Sequence, residues 1–89
     1  MDDLRHYKER ERGAKAKSLL DDTILNEILD DIVNTYIDRW GQSTFSDMER
    51  RESCFRMVTA IGNLRAELES VAANGRIADE QIQKEQING

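Results

Sequence analysis

The chain contains no proline, five glycines, one cysteine, one histidine and five aromatic residues in 89 positions. Each shortage removes a class of answer. Turn-rich β folds need glycine and proline at their corners, so their scarcity predicts an all-α protein. A lone Cys54 closes no disulfide within the chain, and with His6 as the single histidine no Cys/His zinc site of three or four ligands can be assembled. No run approaches 18 apolar residues, and the charged start at Asp2 and Asp3 leads into no apolar stretch of the signal-peptide kind. The sequence therefore predicts a soluble protein, intracellular or virion-borne, with no membrane contact. At 38% hydrophobic and 35% charged residues the core of so short a chain is thin, and oligomerisation is the expected supplement.

Charge is abundant but segregated. The formal net charge is −5. Residues 1–18 hold six basic and four acidic side chains, residues 19–49 hold one arginine against eight acids, and residues 50–89 hold six of each sign. Such a gradient orients one chain against another, because potentials of this kind steer encounter.

Three segments follow from the pattern. Residues 1–20 form a charged N-terminal helical segment, poor in apolar residues and weakened at Gly13, that is expected to need a partner for its order. Pairs such as Glu11 with Lys15 support it by only about 0.2–0.5 kcal/mol each. Residues 21–75 form an antiparallel helical hairpin. Asp22 is the expected N-cap of its first arm, and the apolar positions Ile24, Leu25, Ile28, Leu29, Ile32, Val33, Tyr36, Ile37 and Trp40 make a helical stripe that drifts around the axis. Gly41 is the expected left-handed stop, Phe45 an apolar pin in the loop, and Ser46 with Glu49 a capping box for the second arm. On that arm Cys54, Met57, Ile61, Leu64, Leu68 and Val71 recur at three and four residues, a coiled-coil-like packing or oligomer seam, and Asn74-Gly75 is the expected end. Residues 76–89 are a short helix or tail. Arms of about 18 and 28 residues leave an overhang of about 15 Å on the second, to be covered by the N-terminal segment or by another subunit.

No residue set points to catalysis or a cofactor. The acids Glu27, Asp30, Asp31 and Asp38 face no second acidic motif and are expected to be a solvated face. Cys54 lies on the seam, where it packs as a small hydrophobe, and no orienting acid accompanies it and His6. The basic run is interleaved with acids and lacks a stacking platform, which argues against nucleic acid as the partner. Gly62 fits either a close helix approach or a tolerated surface position. Trp40 and Tyr36 are expected core or interface anchors, and Arg5, Lys8, Arg12 and Lys15 facing Asp30, Asp31 and Asp38 are candidate charged contacts between chains.

The runs 16–22 (AKSLLDD) and 25–29 (LNEIL), the aromatic at Trp40, Asp47 through Glu52, Ile61 through Arg65, Leu68-Glu69-Ser70 and 74–78 (NGRIA) resemble a group of small all-helical proteins of tailed bacteriophages, encoded among virion-structure genes near portal and capsid. The likeness spans roughly residues 9 to 85. Relatives often have proline where this chain has Thr23. The resemblance implies a non-enzymatic role, an oligomeric virion assembly or structural accessory component with other virion proteins as partners, present in the host cytoplasm during infection or in the particle. A DNA-handling module resembling a small terminase subunit and an inhibitor of a host defence protein are the alternatives.

Overall fold

The structure, a computed structural model, describes residues 2–88. Met1 and Gly89, the outer ends of the expected first and last segments, lie outside the described residues. Three helices account for almost everything: α1 (Asp2–Leu20), α2 (Thr23–Gln42) and α3 (Met48–Asn88). Among the described residues there is no strand, no cis peptide and no positive φ.

The caps are short-range chemistry. The Asp22 carboxylate accepts the Leu25 amide at 2.8 Å and opens α2, as its sequence position predicts. Lys17 pairs with Asp21 at 3.0 Å at the end of α1, where a cation suits the exposed carbonyls. Gly41, however, is helical, and α2 runs on to Gln42; Ser43 in an extended conformation closes it, its amide reaching the Trp40 carbonyl at 3.1 Å. The start of α3 also differs from the expected capping box. Asp47, not Ser46, precedes the helix, its carbonyl accepting the Arg51 amide at 3.1 Å and its Oδ1 facing the Arg50 amide at 3.4 Å. The Ser46 hydroxyl instead faces that of Thr44. Phe45 is 94% exposed and pins nothing.

The largest departure is at Asn74-Gly75. No left-handed residue interrupts the chain there, and α3 continues for 41 residues, absorbing both the expected second arm and the expected tail. The chain divides into two units, one of Asp22–Arg65 and one of Met1–Asp21 with Ala66–Gly89, and α3 contributes to both.

In the first of these, α2 pairs antiparallel with the early part of α3. Arg65 donates to Asp30 Oδ1 at 2.6 Å and to the Asn26 carbonyl at 3.4 Å, while Arg51 lies over Trp40 at 4.6 Å and donates to Ser43 Oγ at 3.4 Å. Leu29 and Cys54 are its buried centre, with Leu25, Ile32, Val33, Tyr36, Val58 and Ile61 partly covered.

In the second unit α1 lies antiparallel along the late part of α3. His6 sits 3.5 Å from Glu85 and Arg10 3.6 Å from Asp79. Its core is made mostly of small residues, Gly13 and Ala16 from α1 with Ala72, Gly75 and Ala78 from α3, and one large side chain, Ile82. Gly13 meets Gly75 so closely that a Cβ built on Gly13 would lie 2.5 Å from the Gly75 Cα, and one built on Gly75 would lie 2.6 Å from the Gly13 Cα. Gly75 is therefore a packing residue rather than a helix stop. The order expected of α1 only with a partner comes from its own α3. Gly62, by contrast, would meet nothing within 4 Å, so the close-approach reading does not apply to it within the chain.

Candidate contact surfaces

The buried line along α3 passes through Cys54, Val58, Ile61, Arg65, Leu68, Ala72, Gly75 and Ile82. It shares Cys54, Ile61 and Leu68 with the seam read from hydropathy and leaves Met57 and Leu64 off it. Met57 and Leu64 are exposed, and Val71 is half-buried. The seam is also divided, with Met57, Ile61 and Leu64 in one unit and Leu68 and Val71 in the other. Hydropathy overlooks Ala72 and Gly75 because it weights large side chains, whereas α1 approaches where side chains are smallest.

Within residues 22–65 two flanks of the α2–α3 pair carry apolar side chains that nothing in the unit covers. The first surrounds a depression of about 140 Å³ lined by Tyr36, Ile37, Trp40, Cys54, Phe55 and Val58, roughly the space of one aromatic ring. Phe55 is 67% exposed at its edge. Trp40 is held by the Arg51 guanidinium over its ring, a contact worth about 0.5–1 kcal/mol at an exposed site.

The second flank follows from helical pitch. At about 100° per residue, Ile28 on α2 and Leu64 on α3 point to the side that carries Arg39 and Ser53, away from Ile37 and Phe55. Ile24 and Met57 extend this row in opposite directions. Ile24 is 62% and Leu64 46% exposed, so about half of each side chain still faces water.

The charged residues separate into committed and uncommitted groups. Asp30 is taken by Arg65 within the α2–α3 pair, and on α1 Arg5 pairs with Glu9 at 3.0 Å and Lys15 with Glu11 at 3.4 Å. Lys8, Arg12, Glu27, Asp31 and Asp38 make no ion pair among the described residues. Arg5, Lys8 and Arg12 share one side of α1 with Leu4 around a shallow hollow.

Cys54 is 3% exposed and belongs to one unit, His6 to the other. His6 Nδ1 is buried with Glu85 at 3.5 Å and makes no hydrogen bond. Among the described residues no three His, Cys, Asp or Glu side chains converge on a metal position. No described helix is long and apolar enough to cross a membrane. Compared with known families, with curated proteins and with solved structures, the chain matches none.

Proposed function

We propose that this chain is a non-enzymatic protein that works by protein–protein contact, as an oligomeric assembly or structural accessory component of a tailed-phage virion. The phage setting rests on the sequence likeness alone. The contact role rests on one observation, the uncovered aliphatic row of Ile24, Ile28, Met57 and Leu64 on the α2–α3 pair. A small monomer has no stability reason to keep four large apolar side chains on one flank, and contiguous patches of this kind mark contact sites.

The magnitude is informative. Fully burying such a side chain is worth about 1.5–3 kcal/mol, so covering the remaining half of four contributes roughly 4 kcal/mol per copy. Two copies using the same flank gain about 8 kcal/mol before the cost of association, which is itself about 4 kcal/mol or more. The row alone thus supports weak pairing, and a stable assembly recruits further surface.

Light scattering on a sizing column over a range of concentrations tests the reading. A discrete species heavier than 10.3 kDa is expected, and Leu64→Asp, which alters no buried side chain, is expected to shift it toward the monomer. A mass of 10.3 kDa at every concentration overturns the reading.

A further inference from the structure

Two exposed helix faces on this chain match each other in spacing and oppose each other in charge. On α1, Arg5, Arg12 and Leu19 recur every seven residues, with Lys8 and Lys15 between them at the same interval. On α2, Ile24, Asp31 and Asp38 recur every seven residues, with Glu27 and Asn34 between. All ten side chains are exposed. The α1 face flanks the Gly13 and Ala16 side that α3 buries, turned from it by about a quarter of the circumference, and the α2 face lies opposite Leu29. Residues seven apart stack on one side of a helix, so each set is a continuous strip.

We infer that these strips bind each other between two copies of this chain, α1 of one copy lying antiparallel on α2 of the other. That register sets Arg5 opposite Asp38, Arg12 opposite Asp31, Lys15 opposite Glu27 and Leu19 opposite Ile24, with Lys8 beside Asn34. The parallel register keeps cations near acids but leaves both Leu19 and Ile24 without an apolar partner. The acids of the strip are uncommitted within the chain, and so is Arg12. Asp30, in contrast, is held by Arg65 and takes no part. Because each copy has both strips, the contact can be repeated from copy to copy. The charged pairs add surface beyond the aliphatic row, and the inference rests on the self-assembly reading above.

Charge reversal with a swap tests it on the full chain. Arg12→Glu and Asp31→Arg each replace an exposed, unpaired side chain, so neither disturbs the fold. Each is expected to weaken association about tenfold per contact, measured by sedimentation equilibrium at low salt. Combining them, R12E with D31R, is expected to restore most of the loss, and raising the salt is expected to weaken the wild-type assembly. If the wild type assembles but the double variant is no stronger than the single ones, this pairing is wrong while self-assembly stands. If the wild type is a monomer throughout, both fail. Binding of duplex DNA or of anionic vesicles that R12E abolishes, with assembly untouched, assigns the basic strip to those partners and overturns the inference.

Discussion

Replacing glycine by alanine at two positions of this chain should have opposite signs. In an unobstructed helix the change removes backbone freedom from the unfolded chain and raises helix propensity, which stabilises by about 0.8–1 kcal/mol. Gly62 meets that condition, since an added Cβ would touch nothing within 4 Å. At Gly13 the new Cβ would sit 2.5 Å from the Gly75 Cα and 3.0 Å from the Val71 carbonyl oxygen. These are backbone atoms of α3 and cannot rotate aside. Reaching ordinary contact distance requires α1 and α3 to separate by about 1 Å, a gap that forfeits a quarter to a half of each flanking dispersion contact. Ala16, Ala72, Ala78 and Ile82 all lie in that small-residue core, and overpacking of this kind costs about 1–3 kcal/mol. After the propensity gain Gly13→Ala is left about 0–2 kcal/mol less stable than wild type, and Gly62→Ala about 0.8–1 kcal/mol more stable. Urea unfolding followed by circular dichroism, at one fixed protein concentration because self-association adds to apparent stability, reads both as midpoint shifts. An increase in midpoint for Gly13→Ala equal to that for Gly62→Ala would refute the Gly13–Gly75 crossing.

The two aspartate caps differ in geometry and should differ in cost. Asp22→Ala removes a 2.8 Å acceptor and is expected to lose about 1 kcal/mol, whereas Asp47→Ala removes one at 3.4 Å and should lose less than half as much in the same urea assay. Arg65→Met keeps most of the stem but drops the contacts to Asp30 and the Asn26 carbonyl; a loss of about 1 kcal/mol that shrinks in high salt is expected, and a salt-independent loss would contradict it. Ending the chain at Asn74 removes Gly75, Ala78 and Ile82, so the circular dichroism signal should fall by more than the deleted residues carry, because α1 uncovers and melts; a strictly proportional fall would show α1 helical on its own.

Local chemistry was legible where a residue acts on its near neighbours. Asp22 caps α2 because its carboxylate reaches an amide three positions on, and Lys15 finds Glu11 one turn away. The apolar spacing of α2 likewise identifies a helix with a stripe that drifts around its axis, and Ile24 and Ile28 on that stripe are exposed. What failed depended on partners distant in sequence. Asn74-Gly75 has the composition of a helix stop, but the absent side chain at Gly75 is used by Gly13, and nothing near residue 75 reveals that. Gly41 looks like a stop for the same reason and is simply helical. Side-chain size picks out Leu68 and Val71 on the late part of α3 but not Ala72 and Gly75, because α1 packs there against the smallest side chains. Of the charged candidates, sequence alone does not separate Asp30, consumed by Arg65, from Asp31, one residue on and turned outward.

The two units solve the same problem, a chain too short for a generous core, in opposite ways. Where α1 meets α3, almost no large apolar side chain is used, and the helices gain contact by bringing backbones together over glycine and alanine. That surface is largely consumed internally, and α1 turns outward mostly charge, with Leu4, Tyr7 and Leu19 among it. Where α2 meets α3, large side chains are plentiful but a pair of helices cannot enclose them, and Ile24, Trp40, Phe55 and Leu64 remain outside. A surplus of apolar surface in one unit and a strip of cations in the other are different resources for binding. The first supplies affinity without direction, because apolar burial scales with area; the second supplies register, because like charges brought opposite each other repel. Neither suffices alone at these magnitudes. A second copy presents acids and aliphatics at the same seven-residue interval, since it carries α2, which is why the proposed pairing would draw on both.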